Sequence, residues 1–97
     1  MNIDIMDIVT LSNNNKYVVI SKATYENKNY YYLANIDEEN NMVKDLLVFY
    51  EDGNDFVEES SKETLTNLVP LLYENAKKVL PKEIFDKVEK ISKKDIE

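Results

Sequence analysis

The chain has no cysteine, no histidine and no tryptophan, and all 12 of its basic residues are lysine, so arginine is absent too. Without cysteine there is no disulfide framework, no thiolate nucleophile and no thiolate set for zinc or an iron–sulfur cluster. Without histidine the commonest general base and the commonest transition-metal ligand are missing. Without arginine there is no planar fork to hold carboxylate or phosphate by two bonds at once. Paired carboxylates could act as acid and base, yet among 19 acids in 97 residues some pair always falls close by chance. No pair therefore singles itself out, and neither a catalytic role nor a cofactor is expected. Long apolar runs are also lacking, and the opening MNIDIMDIV is acidic where a secretion signal would be basic. A cytoplasmic protein without membrane association is the expectation.

What is present is acid in one place. Residues 1–36 hold three acids and three lysines, and residues 64–97 hold six acids and seven lysines. Residues 37–63 hold ten acids against Lys44 and Lys62, a local charge of −8 that accounts for the net −7 of the whole chain. Direct nucleic-acid binding needs the opposite field and is not expected. A length of 97 residues with 43% hydrophobic content fits one folded domain, since a second core could not be filled.

Along the chain, alternation and turn chemistry predict an antiparallel meander over residues 7–58. Asp7 to Leu11 reads as a first strand, closed by Ser12-Asn13-Asn14-Asn15. Lys16 to Tyr25 is the second, rich in β-branched and aromatic residues; strict alternation puts Val18 and Ile20 on one face and Tyr17, Val19, Ala23 and Tyr25 on the other. A turn at Glu26 to Asn29 leads to a third strand, Tyr30 to Ile36, which sends Tyr30 and Tyr32 to one face and Tyr31 to the other. After Asp37 to Asn41, Met42 to Tyr50 forms the fourth strand. A turn over Glu51-Asp52-Gly53-Asn54, with the only glycine, gives way to a short acidic edge strand, Asp55 to Glu58.

A helix over residues 61–80 is predicted to cover the sheet. Leu65, Leu68, Leu72, Ala76 and Val79 fall on one stripe, widened by Val69, Tyr73 and Leu80. Ser60 with Glu63 matches a capping box. Pro70 interrupts the pattern. An interior proline costs about 3 kcal/mol, against about 1.5–3 kcal/mol gained per large side chain buried, so a kink or break near Val69 is expected rather than loss of the helix. Pro81 separates a second helix, residues 82–92, with Ile84, Phe85, Val88 and Ile91 on one side and a charged tail, residues 93–97, beyond it. The fold class is thus α+β.

The succession DIVTLSNNNKYVVISKATYENKNYYYLANID, LLVFYEDGNDFVEE and a leucine-bearing helix resembles the YrzB-like family of short acidic proteins from low-GC Gram-positive bacteria, over about residues 7–80. The resemblance implies a small α+β fold and a bacterial or phage source. It carries no functional residue, because that family has no established activity.

The candidate site is the acidic stretch itself: Asp37, Glu38, Glu39, Glu51, Asp52, Asp55, Glu58 and Glu59. Such a stretch can simply solubilise an edge and prevent strand-to-strand aggregation. It can also steer and dock a basic surface on a partner protein. In its sharpest form the acids imitate phosphates and block a nucleic-acid-processing enzyme, as small acidic phage inhibitors of the anti-CRISPR kind do; that likeness is one of class alone. Asp52-Gly53-Asn54-Asp55 with Glu58 offers oxygen ligands, but the spacing does not fit a twelve-residue calcium loop, so a turn explains it better and no metal is expected. The Ile84, Phe85, Val88, Ile91 side either thickens the core or joins two copies as a homodimer through the C-terminal helix. A structural or oligomerising role stays beside the binding role on that account.

Overall fold

The β-branched and aromatic runs separated by short polar turns give the strands that alternation predicts. The computed structural model describes residues 3–12, 14–37, 39 and 42–96, with the backbone alone at 36, 37, 42 and 90–96. The strands are β1 (Ile8–Thr10), β2 (Lys16–Tyr25), β3 (Lys28–Asp37), β4 (Met42–Asp52) and β5 (Asp55–Glu58). They pair antiparallel in chain order, β1-β2-β3-β4-β5, and the sheet curls as a half-barrel. Helices α1 (Lys62–Val79) and α2 (Lys82–Ile96) follow, so the α+β meander is the observed fold.

Two turns are tighter than expected. Glu26 (φ 49°) and Asn27 (φ 65°) both occupy the left-handed region, so β2 and β3 join through two residues and β3 starts at Lys28. Two positive φ values in succession match the twist of a hairpin, and asparagine adopts them at low cost. Between β4 and β5 the left-handed residue is Gly53 (φ 62°), where the absence of a Cβ removes the strain.

The expected division of β2 into two faces holds only for its first half. Val19 pairs with Leu33 and Ser21 with Tyr32, so Ile20 is an extra residue, a β-bulge. Beyond it the sides exchange: Ala23 and Tyr25 join Val18 and Ile20 rather than Tyr17 and Val19. Reading strict alternation through position 20 therefore misplaces the rest of the strand, Lys22 and Thr24 as well as Ala23 and Tyr25. The bulge lets β2 turn Ile20 and Ser21 inward in succession, both without exposed surface.

Each face of the sheet has its own apolar layer. One contains Ile20, Tyr30, Tyr32, Ala34 and Val48 and packs against Leu68, Leu72 and Ala76 of α1, Leu80, and Phe85 and Val88 of α2. The other contains Tyr17, Val19, Tyr31, Leu33 and Phe49. Ile3, Val9, Leu11, Leu47 and Phe56 pack around it without burying it under a helix.

The helices depart from expectation at their ends. Ser61, not Ser60, caps α1, its hydroxyl accepting from the Thr64 N–H at 3.3 Å. The third helical position is therefore Thr64, and the Ser60–Glu63 capping box does not form. Helix α1 runs unbroken through Pro70, which sits on the exposed side, so of the kink or break expected near Val69 the break does not occur. Val79, assigned to the buried stripe, is 52% exposed because the helix ends there and Leu80 turns inward instead. Pro81 precedes α2 and its carbonyl accepts from the Ile84 and Phe85 N–H groups, both at 3.0 Å. Residues 93–96, expected as a tail, continue α2; Lys-Lys-Asp-Ile contains no glycine or proline to stop it.

Candidate functional site

The acids predicted to form one face are divided by the fold. Asp37 pairs with Met42 at the start of β4, whereas Asp52 and Asp55 face each other at its far end. Ten residue steps of strand separate the two ends, roughly 33 Å at about 3.3 Å per residue. Glu39, which is exposed, belongs with the first end. The side chain of Asp37 and the whole of Glu38 lie outside the described residues.

The second end is the β4–β5 hairpin, and its acids divide again between faces. Register places Glu51 opposite Phe56 and Phe49 opposite Glu58, all on the side away from the helices. Asp52 and Asp55 alternate with them onto the helix side, as do Tyr50 and Val57. Asp52, Asp55 and Glu58 are exposed, while Glu51 and Glu59 are half-buried.

The two half-buried acids have structural partners that sequence reasoning did not assign. Tyr30 donates its hydroxyl to Glu59 at 2.8 Å, and Tyr31 donates its hydroxyl to Glu51. Tyr30 and Tyr31 are adjacent in sequence and point to opposite faces, so each face ties down one acid. Burial pushes the Tyr31 hydroxyl up to about 12, reinforced by the Glu51 carboxylate; burial, reinforced by the Glu59 carboxylate, raises Tyr30. The available signal was tyrosine itself: a buried phenol needs a partner for its O–H. Glu59 also accepts the Ser61 N–H at 3.3 Å, which makes it a joint between sheet and helix.

Side chains from both edge strands line a hollow of about 420 Å³ on the helix-free face: Ile3, Val9, Leu11, Leu47, Phe49, Phe56 and Glu58, with Thr10 and Ser12. Because β1 and β5 share its walls, the sheet curls toward this side. Phe49 and Phe56 stack across β4 and β5 with ring centroids 5.0 Å apart and 15° between planes. Tyr31 leans on Phe56 at 5.6 Å. Nothing in the linear spacing marked this hollow, since it is assembled from residues some fifty positions apart that only the curl brings together.

The charges on that face are mostly acidic. Glu58 stands on the wall, and Asp45 and Glu51 flank Leu47 and Phe49 on the same face of β4. Lys22, which pairs with Tyr31, is engaged by Asp4 at 3.2 Å. On the helix side, Lys28 sits 4.5 Å above the Tyr50 ring, near the acidic turn.

The apolar side of α2 turns to the chain's own core. Phe85 and Val88 are buried, Phe85 lies 5.2 Å from the Tyr73 ring, and half-buried Ile84 packs beside them. That leaves Phe85 and Val88 unavailable for a contact with a second copy, because β4 and α1 already cover them. The Ile91 side chain lies outside the described residues.

Among the described residues no group of three or more acids could hold a metal ion, and no helix is long and apolar enough to cross a membrane. No protein-family model matches the chain, and neither the curated proteins nor the solved structures contain a match to it.

Proposed function

We propose that this is a non-enzymatic binding module that engages a basic surface of a partner protein through the β4–β5 hairpin. The observation carrying this reading is the exposure of Asp52, Asp55 and Glu58 on one edge hairpin, within a chain of net charge −7. An exposed cluster of one sign accelerates encounter with the opposite sign and discourages wrong partners. The phosphate-mimic version has less support, because the acids fall on two faces and at two ends of the sheet instead of along one track. The YrzB-like resemblance is compatible with such a role and supplies no residue to it.

The test is retention of proteins from a bacterial lysate on the immobilised chain, compared with a triple variant carrying Asp52→Asn, Asp55→Asn and Glu58→Gln. A basic protein held by the parent chain, released by salt and lost by the variant is the expected result. A partner held equally by both, or equally at high salt, would overturn the reading. Displacement of that partner by DNA or RNA would move the reading to phosphate mimicry.

A further inference from the structure

The outer edge of β5 and the hollow beside it form one surface. Asp52 and Asp55 close the two-residue hairpin, and the Glu59 N–H donates to the Val48 carbonyl at 2.9 Å. These two points fix the alternation of the ladder: Asp55, Val57 and Glu59 turn their backbone groups to β4. Phe56 and Glu58 therefore turn theirs outward, on a strand that among the described residues has a neighbour on one side only. Their side chains enter the hollow, so the same two residues offer open backbone groups and line an apolar cleft.

Resting on the binding role given above, we propose that β5 accepts an extended segment of the partner as a sixth strand, with apolar side chains entering the hollow alternately with lysine or arginine. Backbone pairing gives such an interaction its affinity, and the pocket for every second side chain gives it selectivity. Successive antiparallel steps leave β1 and β5 running in the same direction, so a strand antiparallel to β5 is also antiparallel to β1 across the hollow. Its inward side chains meet Val9, Leu11, Phe49 and Phe56. Its cations project to the other side of the sheet, where they meet Asp55, which faces Asp52 across the turn. The two acids divide the work: Glu58 on the hollow side repels the same acidic edge of a second copy, and Asp55 on the other side favours a basic strand.

The probe is a capped octapeptide of alternating lysine and valine, compared with the same peptide N-methylated at alternate residues, which keeps the charge and removes strand pairing. Titration into the full chain is followed by calorimetry and by amide hydrogen exchange. The expected result is slower exchange at Phe56 and Glu58 and an affinity about tenfold or more lower for the N-methylated peptide. Asp55→Lys, at an exposed position on the side that the lysines face, should weaken the parent peptide by a similar factor. Equal binding of the two peptides, with changes confined to Asp52 to Asp55, overturns strand addition and leaves the basic-partner reading standing. Equal binding of a neutral threonine–valine octapeptide overturns the basic occupant and that reading together. Concentration-dependent dimerisation of the chain alone, with protection at Phe56 and Glu58, makes a second copy the occupant and overturns the proposal.

Discussion

The Tyr30 hydroxyl, on the central strand, reaches 2.8 Å from the Glu59 carboxylate, in the segment between the last strand and α1. Tyr30 is 2% exposed and contacts Tyr25 and Tyr50, so its ring is fixed by packing and its O–H has a set direction. Glu59 uses its other oxygen on the Ser61 N–H, beside the cap of α1. Tyr30→Phe keeps the ring and removes only this link. Hydrogen bonds to charged groups contribute about 1.5–3 kcal/mol, and half-burial of Glu59 lets water recover part of it, so a loss of about 1–2 kcal/mol in urea denaturation is expected. An unchanged midpoint would mean that water serves Glu59 equally well.

Stability should fall in strong alkali through two phenols. Tyr31 has a folded-state value of about 12, raised first by burial and then by Glu51, and Tyr30 is raised first by burial and then by Glu59. Above the ordinary tyrosine value of about 10, the unfolded chain gives up protons that the folded chain retains. The unfolded state then binds fewer protons, so stability declines with rising pH. The contribution is whole below about pH 10 and for Tyr31 is lost as pH rises to about 12. Tyr30 and Tyr31 should ionise late in the tyrosinate absorbance titration, and Tyr31→Phe should flatten the thermal midpoint's decline. An absorbance titration left unchanged above about pH 11 by Tyr30→Phe and Tyr31→Phe would remove the basis for this.

Pro70 lies on the exposed side of an unbroken helix, where it cannot donate to the Thr66 carbonyl. Packing of Leu68 and Leu72, both without exposed surface, keeps the helix in place despite that missing bond. Pro70→Ala therefore loses no buried contact and restores a donor. A gain of about 1–3 kcal/mol is expected, seen as a higher urea midpoint with an unchanged slope. A decrease would show that the ring fixes a bend on which the α1 packing depends.

Short-range chemistry made the strands legible. Asparagine and glycine mark the turns, β-branched residues mark β2, and the tyrosine triplet alternates as the pleat requires. The bulge at Ile20 was not legible, because Val-Val-Ile-Ser reads as uninterrupted strand. Only pairing with β3 and the cover of α1 make two successive inward residues favourable, and the Asn75 side-chain amide donating to the Lys22 carbonyl at 3.3 Å belongs to that cover. The Ser21 hydroxyl is buried there without a hydrogen-bond partner among the described residues, an arrangement that no local preference would suggest. The acidic site was half legible. Composition located the charge, but strand length separates its two ends, and tyrosine hydroxyls engage two of the acids. Both are consequences of register, which a list of residues does not contain.

Asp52 and Asp55 are directly opposed across the turn, two like charges on neighbouring strands. Cross-strand pairs carry about 0.2–1 kcal/mol, with like charges on the unfavourable side. Asp55→Asn should therefore raise stability by about 0.5 kcal/mol at low ionic strength. The gain should vanish near 1 M salt, where screening acts within about 3 Å. The same substitution removes one acid from the hairpin assigned to a basic partner, so binding should weaken as stability improves. Opposite signs in the two measurements would show that the repulsion is kept for recognition. A variant that is more stable and binds equally well would leave Asp55 no part in docking, and Glu58 would have to supply the charge on that edge.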